Sequence, residues 1–496
     1  MKKSAFKILL SILMSSVVAI SSFAQANFNS NGKQVVRFST LGDAVDAHDG
    51  EIAQFNGTYY LYGTSYDCGF QWGNKTAPFC GFKSYSSADM VNWKDEGFLF
   101  DAKTPVWQSR CDGKTYGCFR PHVIFNKKTG LYVLWINVYD NVVGYRVFTS
   151  KTPIGPFAEV AEPHLAVNST MPAAGLNNGD HDLFVDDDGT AYLAFTDWRT
   201  KGTIVIEKLS DDYLTGTGEH VKGITEGETE APGLFKRKGI YYVTYSDPNC
   251  GYCSGTGTSY RTAPTPLGPW SKGIKISDNS CGGQPSFVST IKINSETVYL
   301  YGSDLWNNAA KNEALANFYW APLKFNADGA IEPLKCNETY ALPKGIHHSE
   351  RAWDLKCDIG GKTQRAQTFK AMRSTMLSNL SITVFQNNNP NAPLVVEIYK
   401  AGANHLPTGK PLASQSFEAA EIGWSARNIF VKPNIRVVKG QEYVMVLKSA
   451  STAGCYGVAH AGEKTRSVAA SLSTDGGATF MANEESGVLK YEVLVK

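Results

Sequence analysis

Charge is scarce in this 496-residue sequence: Asp, Glu, Lys and Arg make up 19 % of it, and their formal balance is only +2. Three of the cations, Lys2, Lys3 and Lys7, crowd the N-terminus, and without them the balance is −1. So neutral a chain carries no broad field for nucleic acid or an anionic membrane surface. Long apolar runs are also lacking. The one exception, Ile8–Ile20, is shorter than the roughly 20 residues that a bilayer span needs. Metal-ligand spacing is missing as well. Asp186-Asp187-Asp188-Gly189 fails the EF-hand pattern and reads as a hairpin turn, and Cys250-x-x-Cys253 has no second pair at zinc-ribbon distance. The reading is therefore of a chain with no cofactor and no metal, no nucleic-acid partner and no membrane insertion.

What is present points outside the cytoplasm. Three lysines, an apolar run and the small residues around Ser22-Phe23-Ala24 form a secretory leader, expected over residues 1–24 and removed on export. The mature protein is expected to be secreted or periplasmic. Ten cysteines suit that oxidising setting. Cys68 and Cys80, and Cys111 and Cys118, are close enough to staple single loops, and Cys357 and Cys455 bracket most of the last region; the pairing itself stays open.

The organising signal is a tight turn followed by an aromatic-rich strand. It occurs at Asn56-Gly57 before Thr58–Tyr62, at Thr129-Gly130 before Leu131–Trp135, at Asp188-Gly189 before Thr190–Phe195 and at Lys238-Gly239 before Ile240–Tyr245. A weaker fifth copy begins at Ser295-Glu296. A second shared template, Ser150–Phe157 and Ala263–Trp270, contains Gly-Pro in both copies. Hairpin turns ahead of β-branched and aromatic residues mark strands. Repeats of roughly 50–75 residues with no helical pattern between them mean propeller blades. The expected fold is all-β, a five-bladed β-propeller over residues 25–345. After Pro343 the pattern changes to alternating strands such as Leu380–Phe385, Leu394–Tyr399 and Tyr443–Leu447, predicting an antiparallel, jelly-roll-like β-sandwich over 346–496 as an accessory domain, with binding carbohydrate and packing against the propeller as its two open roles.

If each repeat strand is second in its blade, the strand lining the central funnel lies just upstream of the turn. Eight to ten residues before the turn glycines stand Asp49, Arg120, Asp180 and Glu230, and Gln284 lies slightly further upstream of the fifth turn. Three carboxylates at one offset in successive blades should converge. Two facing carboxyl groups, one protonated and one ionised, are what glycoside hydrolysis needs, and a third beside the acid would raise its pKa. Taken singly, each carboxylate could equally cap a turn or pair with Arg120. His122 and His181 flank these positions. His122 and Trp306 complete the candidate substrate-binding set with Arg120 and Gln284, and Trp72 and Trp107 are further aromatics that could stack on a sugar. His347-His348 could approach a metal near the closure of the ring.

These residues resemble glycoside hydrolase family 43, over about Arg37 to Pro333. Asp49-Gly50-Glu51-Ile52, Asp180-His181-Asp182-Leu183-Phe184 and Glu230-Ala231-Pro232 look like the family's three catalytic elements. The resemblance implies an inverting mechanism with Asp49 as general base, Asp180 as the group that orients and tunes the acid, and Glu230 as general acid. Ala47-His48, Asn92-Trp93 and Gly283-Gln284 resemble the branch holding exo-β-1,3-galactanases and some arabinofuranosidases and galactofuranosidases. The galactanases it resembles have no carboxylate where this chain has Asp49, rely on the fifth-blade Gln, and carry a Glu where this chain has Phe119. Asp49 therefore shifts the expectation towards a furanosidase.

The expected function is an exo-acting hydrolase that removes terminal α-L-arabinofuranose from plant polysaccharide side chains. β-D-Galactofuranosidase, exo-β-1,3-galactanase and β-xylosidase are the alternatives within the class. A non-catalytic propeller lectin is the alternative outside it, opposed by the asymmetric set of carboxylates. The expected partner is an oligo- or polysaccharide.

Overall fold

The structure is a computed structural model that describes residues 24–25, 27–28, 32–72, 77–112, 117–138, 144–167, 178–247, 254–306, 312–337, 340–341, 353–461, 470–481 and 487–495. The leader through residue 23, Cys250, Cys253, the boundary around Pro343 and His347-His348 lie outside the described residues.

The fold is all-β. Five consecutive antiparallel sheets occupy the first two thirds, each a simple meander: His48–Phe98, Cys118–Ala161, Asn178–Val221, Glu230–Ser277 and the three-stranded Gln284–Pro322. The first strand of each sheet packs against the first strand of the next, and Gln284–Ile293 packs back on His48–Phe55. This closed ring is consistent with a propeller. The aromatic repeat strands Thr58–Thr64, Leu131–Val138, Ala191–Asp197, Ile240–Ser246 and Glu296–Leu305 are each second in their sheet, directly beside the ring.

Local chemistry explains the repeat. At Asn56-Gly57 and Lys238-Gly239 both turn residues have positive φ (50° and 82°, 49° and 80°), the two-residue turn whose twist matches the flanking strands. The fifth turn departs from the sequence reading by one residue. Ile293 pairs with Glu296, so the turn is Asn294-Ser295, and Ser295 at φ 71° stands where the other copies have Gly. The paired templates also agree, with Gly155-Pro156 and Gly268-Pro269 both cis between the third and fourth strands of their sheets.

Two further sheets, one seven-stranded and one five-stranded, are built from Asp354 to Val495. Alternate residues from each bury one shared cluster: Leu380, Ile382 and Val384 from the first, Leu394, Val396, Ile398, Tyr443, Met445 and Leu447 from the second. Period-2 alternation puts these side chains on one face, and each contributes roughly 1.5–3 kcal/mol by leaving water. Disulfides join Cys68–Cys80, Cys111–Cys118, Cys281–Cys336 and Cys357–Cys455. Among the described residues, no helix is long and apolar enough to cross a membrane.

Candidate active site

Each of the five ring strands breaks its pairing register near its start. The shifts fall between His48 and Glu51, Phe119 and His122, Asn178 and His181, Glu230 and Gly233, and Pro285 and Phe287. Such a bulge twists the strand locally and re-aims the side chain it carries. Asp49, Arg120 and Ala231 there have φ of 54°, 58° and 51°, a left-handed conformation uncommon outside glycine and concentrated at functional sites. Asp49, Arg120 and Asp180 sit in these bulges, and Glu230 is the paired residue that opens its own.

The structure brings the residues together. The Arg120 Nη2 donates to Asp180 Oδ2 at 2.7 Å and its Nη1 donates to the Pro285 carbonyl at 3.1 Å, so one guanidinium spans the second, third and fifth sheets. The Arg120 backbone N–H donates to Asp49 Oδ1 at 3.2 Å. Gln284 Nε2 donates to Glu230 Oε2 at 3.1 Å. Arg120 and Asp180 form a buried pair, and removing one partner of such a pair costs about 3–5 kcal/mol. Truncating Arg120 would therefore perturb folding as strongly as chemistry, which makes it a poor probe of function.

The environment splits the carboxyl groups. Burial, reinforced by the negative charge of Asp180 and opposed by Arg120 and Gln284, pushes the Glu230 pKa up to about 8. Burial pushes Asp49 up to about 7; Arg120 and the Thr64 and Tyr66 hydroxyls act against that rise, and Asp304 adds to it. Thr64 Oγ1 donates to Asp49 Oδ1 at 2.7 Å and the Tyr66 hydroxyl donates to Oδ2 at 2.8 Å, so both oxygens are held. One group stays protonated at neutral pH while the other sheds its proton at slightly lower pH. That pairing is how one site supplies an acid and a base.

Sequence reasoning missed the second row of residues. Asp304 Oδ2 accepts from the Asp49 backbone N–H at 3.1 Å and from the Ser286 hydroxyl. His48 lies 3.5 Å from both Asp304 and Asp46 and stacks on Phe318. Burial alone would lower the His48 pKa, but Asp304, Asp46 and Asp49 outweigh it and raise it. Thr64, Ser246 and Asp304 all lie at the far end of a second strand, paired with His48, Glu230 and Gln284 respectively. A search seven to nine residues after each turn, as well as before it, would have found them.

His122 is a correction. It is fully buried, with Nδ1 3.0 Å from Asp182 Oδ1, and burial lowers its pKa to about 3. It belongs to a deeper layer with Glu51 and Asp182, each two residues past a site residue on its strand. Glu51 accepts from the Val123 N–H and Asp182 Oδ2 from the Leu234 N–H, so these side chains tie each sheet to the next rather than reach a substrate. Among the described residues, donor atoms of Glu51, His122 and Asp182 lie within 4.8 Å of one another, but Glu51 and Asp182 already accept from backbone N–H groups, so the cluster is read as structural. Trp306, expected in the substrate-binding set, is buried, edge-on to Tyr66 at 5.9 Å and 5.8 Å from His48. Trp107 is buried in the short helix Pro105–Arg110, whereas Trp72 is exposed and packs 5.8 Å from Phe119.

An all-β ring that gathers an ion-paired aspartate beside two further buried carboxyl groups fits a hydrolase of glycosidic bonds. The family model for glycosyl hydrolases family 43 matches residues 43–329, and the chain belongs to that family. It is 27 % identical over 298 residues to the beta-D-galactofuranosidase xynD of Aspergillus niger, covering 58 % of this chain and 82 % of that one. It is 26 % identical over 298 residues to an arabinoxylan arabinofuranohydrolase of Bacillus subtilis, covering 54 % of this chain and 57 % of that relative's length. Among solved structures, a family 43 beta-1,3-galactosidase with galactodeoxynojirimycin superposes with a TM-score of 0.50 at 25 % identity, covering 61 % of this chain and 98 % of that one. An exo-beta-1,3-galactanase from Clostridium thermocellum, with a TM-score of 0.52 at 23 % identity over 67 % of this chain and 72 % of that one, shares the fold.

Proposed function

We propose that the protein is an exo-acting, inverting furanosidase that releases terminal α-L-arabinofuranose from plant polysaccharide side chains. The fold behind this reading is a five-bladed propeller over residues 25–345, with an accessory β-sandwich over 346–496. Residues 1–24 act as a leader, so the enzyme works outside the cytoplasm. Glu230 protonates the leaving oxygen, Asp49 takes a proton from the attacking water, and Asp180 holds the Glu230 pKa up. Arg120 and Gln284 position the sugar, with Gln284 also oriented on Glu230.

The observation that carries the reading is Asp49, a carboxyl group gripped by two hydroxyls beside a carboxyl group of higher pKa. Such a base frees Gln284 for binding. Two further facts support a furanose. Both curated relatives named above are furanosidases by name. Phe119 packs with Phe70 and Trp72, giving an aromatic wall where the galactanases that this sequence resembles carry a Glu. α-L-Arabinofuranose and β-D-galactofuranose have the same ring stereochemistry and differ only in the exocyclic carbon chain, so a site shaped for one is a near fit for the other.

A screen on nitrophenyl α-L-arabinofuranoside, β-D-galactofuranoside, β-D-galactopyranoside and β-D-xylopyranoside tests this directly. Hydrolysis of the arabinofuranoside, with weaker hydrolysis of the galactofuranoside, is expected; exclusive hydrolysis of a pyranoside would overturn the substrate.

The pH dependence follows from the same two groups. Activity needs Asp49 ionised, hence pH above about 7, and Glu230 protonated, hence pH below about 8. The expected kcat/KM profile is a narrow bell with its maximum between those values. A profile still rising at pH 5 towards acid would contradict the assignment.

A further inference from the structure

The sequence left open whether the C-terminal sheets bind carbohydrate or serve the ring. One contact decides what they can do. Ser65–Trp72 follows the second strand of the first sheet and carries Tyr66, whose hydroxyl holds Asp49. Asp46 fastens the near side of this segment, accepting from Ser65 Oγ, Tyr66 N and Asp67 N. The far side is fastened from more than 350 residues away. Asp67 Oδ1 accepts from both the backbone N–H and the hydroxyl of Ser425 at 2.9 Å, its Oδ2 lies 3.0 Å from Arg427 Nη1, and its carbonyl accepts from Trp424 N at 2.9 Å.

Packing makes the grip close. Trp424 is buried in a cluster with Tyr66, Phe70, Phe79 and Trp306, whose other buried members all lie between Tyr62 and Ala316. A Cβ on Gly69 would stand 2.6 Å from the Trp424 ring, and one on Gly423 would stand 2.0 Å from Asp67 Oδ1. Only glycine allows the two backbones to approach this closely on both sides. Asn312 Nδ2 donates to the carbonyls of Gln386 and Trp424 and closes the same seam.

We propose that Trp424, Ser425 and Arg427 act through Asp67 as a positioning clasp for the general base, holding Tyr66 on Asp49. This rests on the assignment of Asp49 as base. Each oxygen of ionised Asp49 accepts from one of these hydroxyls, and protonation turns one of the two oxygens into a donor, so losing the Tyr66 bond favours the protonated form. The groups facing Asp49 are Arg120 from the second sheet, Asp304 from the fifth, and His48, Thr64 and Tyr66 from its own. Those facing Asp67 are Arg427 and Asp46. Asp67→Ala and Arg427→Ala also remove a charge near Asp46, so the limb is read against Ser425→Ala, which loosens the same carboxylate and leaves every charge in place.

The test uses the full-length enzyme and the nitrophenyl glycoside that it cleaves best. Tyr66→Phe is expected to lower kcat about tenfold, the scale of one hydrogen bond to a charged group, and to move the acid limb to higher pH with KM unchanged. Asp67→Ala and Arg427→Ala are expected to shift kcat and the limb in the same direction by about threefold or more, with Arg427→Lys restoring most of the loss. Combined with Tyr66→Phe, neither should add a further loss, because all act on one contact. Losses that multiply independently, or a raised KM with an unmoved limb, would overturn the clasp. Where Asp67→Ala does not fold, Ser425→Ala removes one hydroxyl from the same carboxylate and answers the same question. If Asp49→Asn is itself nearly harmless, the base assignment fails. If Asp49→Asn is inactive while the clasp variants leave the limb in place, the clasp alone fails.

Discussion

Turnover of Asp49→Asn is expected to fall at least about a hundredfold, the low end of what a general base contributes. The side chain keeps its size, and one of the Thr64 and Tyr66 hydroxyls can still donate to its amide oxygen while the other turns to accept from its amide nitrogen, so the fold should persist with a small change in melting temperature. Added azide attacks without surrendering a proton and should restore part of the rate. The first sugar released by the unmutated enzyme should have inverted anomeric configuration, read by proton NMR before mutarotation. A nearly harmless Asp49→Asn beside an inactive Gln284→Ala would assign the base to Gln284 instead. The enzyme would then work as the galactanases that it resembles do, and the furanose assignment would fall with it.

Glu230→Gln should separate two kinds of substrate. On polysaccharide the leaving oxygen needs a proton, and the loss is expected to be about 10²- to 10⁴-fold in kcat. On a nitrophenyl glycoside the leaving group departs without one, so the loss should be far smaller. Equal losses on both would mean that Glu230 does not act as the acid. The glutamine can still hydrogen-bond Gln284, which keeps the comparison free of gross rearrangement.

Much of this was readable in the residues because the ring is written as a local repeat. Turn, aromatic strand and upstream polar residue recur at nearly fixed spacing, so Asp49, Arg120, Asp180 and Glu230 could be found together from one sheet's geometry. What escaped was of three kinds. The bulges that aim those side chains leave no residue signature: His48-Asp49-Gly50-Glu51 and Phe119-Arg120-Pro121-His122 share no pattern that marks a register shift. This is also why His122 was misplaced, since an offset of two along a bulged strand leads to a deeper layer rather than to the same face of the site. Other losses were pairings across long separations. Asp304 meets Asp49 across 255 residues and Ser425 meets Asp67 across 358, and a single sequence carries no trace of such contacts. The fifth turn slipped by one for a simpler reason: Ser295 holds a left-handed backbone where a glycine was expected.

The five register breaks have a consequence for how such an enzyme changes its chemistry. Asp49, Arg120 and Asp180 lie in the unpaired stretch of their breaks, and Glu230 and Gln284 are paired residues at or just before theirs, so each side chain stands where the ladder is interrupted. The ring thus presents five interruptions around a common centre, and a residue there that ties no other sheet, unlike Arg120, can change with little disturbance to its neighbours' strands. If the base is Asp49 here and the fifth-strand glutamine in the galactanases that the sequence resembles, moving it takes substitutions at existing breaks rather than a new scaffold. One architecture can in this way pass between sugars in small steps, each of them a folded protein.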